Sequence, residues 1–145
     1  AIIYDNVSMG KNNKIGAYSV IGSNGEIRGV ENFEGTVEIG SDNIISELVT
    51  IQRPAISGQK TTVGNGNIIM AHTHIGHDAS IGHNCELSSG TIVGGYATIE
   101  DQAKVKLGVT IRNRKTVKKN AVVGMGSVVV TDVEESAVVY GNPAK

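Results

Sequence analysis

The chain has 145 residues, the length of one domain, and its apolar residues are mostly β-branched. There are 17 Ile and 18 Val against 3 Leu, one Phe and no Trp, which excludes a helical bundle because Leu is the usual residue of helix packing. No apolar run approaches the ~20 residues of a membrane span, and a net charge of −1 argues against a nucleic-acid partner. No export signal is visible before the first strand-like segment, so we expect a soluble, cytoplasmic protein.

An apolar residue recurs at every sixth position along most of the chain. The series runs from Ile3 to Val129 and has 22 members, of which Ser57 alone is polar. Glycine often follows these residues, and a small side chain often lies four positions after them. A period of six fits neither a helix nor an ordinary alternating strand, but it suits a solenoid in which each hexad forms a short strand and a turn. We predict a single domain with coils over about residues 3–133 and a C-terminal arm over 134–145.

This pattern of an apolar residue, then glycine or a small polar residue, resembles the hexapeptide repeat of left-handed parallel β-helix proteins. The resemblance implies an all-β, left-handed parallel β-helix in which three hexads complete one triangular coil. Spacing alone does not determine the hand of the helix. Two segments, 23–36 and 53–62, keep the six-residue count but are polar and rich in turn residues. We predict that they are loops extruded from the coil, where binding residues are common; irregular stretches of coil are the alternative.

Three of the four histidines lie within six residues, and Asp78 follows the last of these three, His77. Residues three hexads apart stack at the roughly 4.8 Å spacing of neighbouring strands, so we expect His77 beside Gly95 and Asp78 beside Tyr96. A histidine next to a glycine N–H pairs a base with an oxyanion donor, the arrangement that acyl transfer requires. A carboxylate such as that of Asp78 can hold the imidazole tautomer. An ordinary solvated surface histidine is the alternative.

Segments 49–53, 67–70 and 74–78 resemble the catalytic coil of the UDP-N-acetylglucosamine O-acyltransferase family. By position, the resemblance implies that His77 is the general base and Asp78 the acid beside it. It also implies that His74 is a second active-site histidine and that Gly95 is the backbone oxyanion donor. The His-Asp pair is similar to that of bacterial nucleotide-sugar N-acetyltransferases of the same fold. Both families imply direct attack of a sugar hydroxyl or amine on the acyl donor, without a covalent acyl-enzyme.

Other positions depart from the O-acyltransferase family. Gln52 and Tyr96 stand where that family has further histidines, and residues 112–113 match its acyl-binding residues poorly. Residues 123–129 and 138–145 instead resemble the closing segment of coenzyme A-dependent sugar acetyltransferases, which lines the cofactor groove. We therefore expect acetyl-CoA or another short acyl-CoA as the donor, with an acyl carrier protein as the alternative. Seven of the 13 basic residues lie between residues 104 and 119, without an acidic one, and such a belt suits donor phosphates or an acidic carrier. Lys106, Arg112 and Lys118 are six apart and face three directions, so part of the belt is ordinary solvated surface.

The candidate site residues divide into two groups. The candidate donor contacts are Gly108, Arg112, Asn113, Arg114, Lys118, Pro143 and Lys145. The candidate acceptor contacts are Glu26, Arg28, Gln52, Arg53 and Tyr96. No metal is expected. The family resemblance implies a homotrimer with sites between subunits and a nucleotide-linked sugar as acceptor, whose identity, acylated atom and acyl length stay open.

Two other classes of protein share the repeat. Residues 82–88 resemble part of the zinc-ligand stretch of γ-class carbonic anhydrases, which bind zinc through three histidines across a trimer interface. Ser88 stands where the second histidine of that stretch would fall, and the six-residue spacing of His77 and His83 turns them in different directions. A non-catalytic trimeric scaffold is the other alternative. The single Cys85 falls in a small inward position, which favours packing over nucleophilic catalysis.

Overall fold

Three parallel sheets form the faces of a triangular prism in the computed structural model, which describes residues 1–145. The sheets contain seven, six and seven strands, every strand pair is parallel, and no helix forms. No helix is therefore long and apolar enough to cross a membrane. The predicted left-handed parallel β-helix is confirmed.

The strands are short and visit the three sheets in turn. Sheet 1 contains β1 (Ile2–Ile3), β4 (Val20–Asn24), β7 (Thr50–Arg53), β10 (His74–Ile75), β13 (Ile92–Val93), β16 (Thr110–Ile111) and β19 (Val128–Val129). Sheet 2 contains β2 (Val7–Met9), β5 (Thr36–Ile39), β8 (Lys60–Val63), β11 (Ser80–Ile81), β14 (Thr98–Ile99) and β17 (Thr116–Val117). Sheet 3 contains β3 (Lys14–Ile15), β6 (Ile44–Ile45), β9 (Ile68–Ile69), β12 (Glu86–Leu87), β15 (Lys104–Val105), β18 (Val122–Val123) and β20 (Val138–Val139). We call the turns that join sheet 1 to sheet 2 the first edge, sheet 2 to sheet 3 the second edge, and sheet 3 to sheet 1 the third edge.

The hexads share one local anatomy, which the hexad of Ile75 illustrates. Ile75 ends β10, points inward and is fully buried. Asp78, three residues later, has a φ of 62°, and a left-handed residue recurs at this place in most hexads. Ala79 points inward again and is buried. Because two inward residues per hexad fill a narrow prism, the core cluster of 25 residues consists mainly of β-branched and small side chains and contains no aromatic one.

Two insertions interrupt the coil, and both leave it at the first edge. Ile21 and Ile39 are consecutive core residues of sheets 1 and 2 but lie 18 residues apart instead of six; residues 25–35 form loop 1 between β4 and β5. Ile51 and Val63 lie 12 apart, and residues 54–59 form loop 2 between β7 and β8. Both loops are shorter than the polar segments of the sequence, because strand pairing continues into the flanking residues of each segment. The two insertions add 12 and six residues, both multiples of six. The apolar positions before and after each insertion therefore stay on the same six-residue series.

The two loops pack on each other outside the prism. The Glu34 N–H donates to Ala55 O at 2.9 Å, and the Gly35 N–H donates to Pro54 O at 3.0 Å. Phe33, the one phenylalanine of the chain, is buried in loop 1 but is not part of the central core cluster. The first edge therefore carries an extra layer of ordered backbone beside the coil.

The repeat predicts that the coil ends near residue 133, but the structure continues the coil to β20. Val133 bridges to Val117, and β20 pairs with β18. Val133 follows Val129 by four residues instead of six. Because this turn is two residues shorter, the inward positions after Val129 no longer fall on the six-residue series that starts at Ile3. The C-terminal arm begins after β20, where Ala144 N–H donates to Val128 O at 2.9 Å.

A ladder of buried asparagines stabilises the second edge. Asn67 Oδ1 accepts the Cys85 N–H at 2.7 Å, and Asn67 Nδ2 donates to Gly82 O at 2.9 Å. The Asn67 N–H donates in turn to Asn43 Oδ1 at 2.9 Å. Both asparagine side chains are fully buried, and they satisfy backbone groups that are themselves buried or half-buried, such as the Cys85 N–H and the Gly82 carbonyl.

Cys85 is expected to resist alkylation in the folded protein. Its side chain is buried, and burial raises the pKa of the thiol to about 11, so the reactive thiolate is scarce at neutral pH. Mass spectrometry after treatment with iodoacetamide at pH 8 should show no adduct on the native protein and full labelling in guanidinium chloride. Rapid labelling of the native protein would contradict this packing.

Candidate active site

His77 and Asp78 form the centre of the candidate site, on the turn that follows β10 at the first edge. His77 Nδ1 lies 2.8 Å from Asp78 Oδ2, and only 13% and 7% of the two side chains are exposed. Since a carboxylate only accepts, Nδ1 carries the proton of this bond and Nε2 keeps a free lone pair. This is the tautomer that a general base requires.

Asp78 is itself held by residues of the preceding coil. The Thr61 hydroxyl donates to Gln52 O at 2.7 Å and accepts the Asp78 N–H at 2.9 Å. Thr61 is fully buried, so this bridge is shielded from water. Sequence reasoning missed Thr61: the spacing of three hexads places it beneath Ala79, and only the structure shows that its hydroxyl accepts the N–H of the neighbouring Asp78.

Gly95 stacks directly on His77, as the spacing predicts. Tyr96 N–H donates to His77 O at 3.0 Å, which aligns the two turns. A Cβ on Gly95 would lie 2.8 Å from His77 Nε2, so a side chain there would push the imidazole aside. The Gly95 N–H donates to no acceptor in the chain. A free N–H beside a base has the chemistry of an oxyanion donor.

Tyr96 and Arg114 extend the column from His77. The rings of His77 and Tyr96 meet edge to face with centroids 5.2 Å apart. The Arg114 guanidinium carbon lies 4.1 Å from the centre of the Tyr96 ring, a cation–π contact. Arg114 makes no ion pair, so its charge is available beside the candidate base.

His74, Gln52 and Glu26 line the face of sheet 1 next to the base. His74 Nδ1 lies 2.7 Å from Thr50 Oγ1, and Gln52 Nε2 donates to Glu26 Oε1 at 2.9 Å. Burial lowers the pKa of His74, the Glu26 charge raises it, and His77 lowers it further; the net direction is down. His74 is therefore neutral at pH 7 and can donate or accept a hydrogen bond without carrying charge.

Folding stability should decrease as the pH falls below the ordinary histidine pKa of about 6.5, in part because of His74. Since the folded pKa of His74 is lowered, the unfolded chain takes up the proton first in that window, and acid favours unfolding. Urea unfolding at pH 7.5 and 5.5 measures the loss, and His74→Gln should make it smaller. His72→Gln, at an exposed turn, should leave it unchanged. An identical pH dependence in His74→Gln would contradict the burial effect.

The structure does not bring the remaining candidates together within the chain. Arg112 and Asn113 continue the first edge beside Arg114, whereas Lys118 follows β17 at the second edge and pairs with Glu134 at 2.8 Å. The other donor candidates, Gly108, Pro143 and Lys145, belong to the third edge and the arm that follows β20. Two acceptor candidates lie in or beside the loops. Arg53 Nε donates to Asn24 Oδ1 at 3.0 Å, and the side chain of Arg28 is exposed.

His83 lies away from this group, on the second edge. Its Nδ1 accepts the Asn65 N–H at 2.8 Å, and its own N–H donates to Asp101 Oδ1 at 2.8 Å. It also lines a groove of about 580 Å³ on the outer face of sheet 2, which does not include His77. No group of three or more His, Cys, Asp or Glu side chains in the chain is placed to hold a metal ion. His83 thus bonds to the adjacent coils on both sides and stabilises their stacking at the second edge.

Comparison with known proteins agrees with the coil geometry. The family model described as bacterial transferase hexapeptide (six repeats) matches residues 60–99, which include the His77 turn. The chain belongs to the hexapeptide-repeat family. A solved UDP-N-acetylglucosamine acyltransferase from Bacteroides fragilis superposes on this hexapeptide-repeat chain with a TM-score of 0.93 and 30% identity, over 99% of this chain and 56% of that one.

Two other relatives of the hexapeptide-repeat chain differ in their donors. An acyl-[acyl-carrier-protein]–UDP-N-acetylglucosamine O-acyltransferase from Pseudomonas fluorescens is 33% identical over 136 residues, which are 93% of this chain and 53% of that protein. The perosamine N-acetyltransferase of Caulobacter crescentus, solved with CoA and GDP-perosamine, has a TM-score of 0.69 and 22% identity, over 86% of this chain and 56% of that one. The second likeness shows the fold alone. The chain spans about half the length of the curated relatives it matches.

Proposed function

We propose that this protein transfers an acyl group from a thioester to a hydroxyl or amino group of a nucleotide-linked sugar. The observation that carries the proposal is the juxtaposition, on neighbouring coils, of the His77–Asp78 pair and the free N–H of Gly95. A base, its orienting acid and an oxyanion donor are the three groups that acyl transfer needs. The similarity to UDP-N-acetylglucosamine O-acyltransferases supports the acceptor class.

The chemistry is a direct displacement at the thioester carbonyl. His77 Nε2 takes the proton of the acceptor group as its oxygen or nitrogen forms a bond to the carbonyl carbon. The carbonyl oxygen gains the negative charge and is stabilised by the Gly95 N–H, while Asp78 stabilises the imidazolium. The carbon–sulfur bond then breaks, and the imidazolium returns the proton to the departing thiolate. Holding both substrates together supplies much of the rate, and no acyl-enzyme forms.

The acceptor pocket is assigned to the face of sheet 1 beneath the two loops. Glu26 and Gln52 present a carboxylate and an amide beside the neutral His74. Such groups bind sugar hydroxyls through hydrogen bonds without requiring a charge on the sugar. Arg28 and Arg53, in or beside the loops, provide cations for a nucleotide diphosphate, and Tyr96 closes the pocket on the opposite side of His77.

The donor group is assigned to the cationic end of the first edge, where Arg112 and Arg114 carry charges without ion-pair partners. These charges suit the phosphates of coenzyme A, for a short acyl-CoA, or the acidic face of an acyl carrier protein. A homotrimer accounts for candidates on other edges, such as Gly108 and Lys145, since a neighbouring prism would present its third edge to this first edge. Static light scattering tests the assembly, and a monomeric mass at micromolar concentration would contradict it.

The deciding experiment offers both donors to the purified chain. Acetyl-CoA, a longer acyl-CoA and an acyl carrier protein loaded with a 3-hydroxyacyl chain are each combined with UDP-N-acetylglucosamine and with an amino-sugar nucleotide. Mass spectrometry of the nucleotide sugar detects the acylated product and identifies the acylated atom. Absence of product from a folded trimer with every pair would favour a non-catalytic scaffold, and stoichiometric zinc in atomic emission would favour the carbonic anhydrase class.

A further inference from the structure

We propose that Gly25, in loop 1, is a positioning residue that holds the imidazole of His77 in its orientation. The inference rests on the proposed function, which assigns His77 the role of base and places the acceptor beside Glu26. Gly25 lies 52 positions before His77 and outside the hexad series, so no repeat spacing connects the two.

Loop 1 brings the backbone of Gly25 directly against His77. The Gly25 N–H donates to Arg53 O at 3.1 Å, which anchors the start of the loop on β7. A Cβ at Gly25 would lie 2.9 Å from His77 Cβ and 3.1 Å from His77 Cγ. Any side chain at this position would displace the histidine or lift the loop, since real Cβ atoms essentially never approach so closely.

The backbone conformation of Gly25 does not itself require glycine. Its φ is not among the positive values of the chain, whereas Gly29 in the same loop has a φ of 81° and has nothing within 4 Å of its missing Cβ. Gly29 thus allows the left-handed backbone conformation of the loop, and a side chain there would meet no other residue. Gly25 instead allows the close approach of the loop to its neighbours. Those neighbours are His77 and the carbonyl oxygen of Arg53.

The imidazole is consequently held from several directions. A Cβ on Gly25 would meet the Cβ and Cγ of His77, a Cβ on Gly95 would meet its Cε1 and Nε2, and Asp78 Oδ2 lies 2.8 Å from its Nδ1. Two of these neighbours are bare backbone, and they come from chain segments 70 residues apart. A ring confined in this way keeps the Nδ1–H tautomer and aims Nε2 at one place, which is what a base needs for rapid proton transfer.

Gly25 also links the acceptor pocket to the base. Glu26, the next residue, contacts Gln52 in the proposed pocket. An acceptor bound at Glu26 therefore steadies the segment of backbone that rests on His77. Loop 1 on this view contributes both to binding and to the alignment of the base.

Gly25→Ala is expected to lower kcat at least about tenfold while KM for either substrate changes less than about twofold. In substrate-free protein, ¹⁵N NMR of the imidazole should show that His77 loses its single Nδ1–H tautomer; signals missing from His77→Asn assign the residue. Gly29→Ala is the matched control, because it strains loop 1 but places its methyl group in open space. It should leave kcat and the His77 signals unchanged.

A second measurement applies if Gly25→Ala folds poorly. His77→Gly removes the side-chain atoms that the new methyl group would meet, so Gly25→Ala should lower Tm much less in the His77→Gly background than in the wild type. Unchanged His77 signals in Gly25→Ala, an equal loss of Tm from Gly25→Ala in both backgrounds, or an equal loss of kcat in Gly29→Ala would each overturn the proposal. The NMR and Tm results do not depend on turnover, so they stand apart from a failure to find acyl transfer.

Discussion

Replacing His77 with asparagine is expected to lower kcat at least about 100-fold, because asparagine cannot take the proton of the attacking group. The β-helix should remain folded, since the strands on either side are held by pairing between main chains. The residual rate would come from the Gly95 N–H and from holding the substrates together. Initial rates of product formation and circular dichroism melting measure the two effects.

His83→Asn provides the matched control for this variant. His83 occupies the same place in its hexad as His77 but lies on the second edge, and the coil before it carries Asn65 in the same column. Asparagine is therefore compatible with that position, and kcat should change less than about twofold. Full activity of His77→Asn would disprove its role as base, whereas equal losses in both variants would indicate a defect of the fold.

Asn67→Ala should lower the free energy of unfolding by about 2–4 kcal/mol, because the buried Cys85 N–H and the half-buried Gly82 carbonyl lose their partners. The Cys85 N–H and the Gly82 carbonyl are bonded by the Asn67 side chain, which is fully buried. The Cys85 N–H is buried, so water would not offset the loss of its bond, whereas the Gly82 carbonyl is half-buried and would be solvated in part. Urea unfolding followed by circular dichroism measures the change at pH 7.

Cys85→Ala is the control for the ladder, since Cys85 is the next member of the same inward column. Alanine already occupies this column one coil further on, at Ala103, where it is fully buried and its N–H donates to Glu100 O at 3.3 Å. The shape of the column therefore tolerates alanine, and the loss in Cys85→Ala should stay near 1 kcal/mol or less. A loss of that small size in Asn67→Ala would show that the ladder bonds contribute little.

Much of the coil follows from the sequence because the hexad is a local unit. Ile75, Ile81 and Leu87 all fall on the step of six and are all buried, since each hexad presents its strand residue to the same narrow interior. The step fails at Ser57, which the structure places in loop 2 and exposes to solvent. It also fails after Val129, where the register changes by two residues and the turn shortens.

The candidate site was predictable only where the coils are regular. His77 and Gly95 lie on consecutive uninterrupted coils, so a spacing of three hexads places them together. The same spacing applied backward from His74 points to Ile56, which is 62% exposed in loop 2. The actual neighbour of His74 is Thr50, six residues further back, because loop 2 takes six residues out of the coil.

By itself the sequence determined the period, the inward residues and the column of His77, because these depend on interactions repeated within and between adjacent hexads. Only the tertiary structure decided how the loops return to the coil. The approach of Gly25 to His77 joins segments whose separation follows no period. Such contacts depend on how two irregular loops pack against each other and against the first edge. The spacing of residues along the chain does not predict that packing.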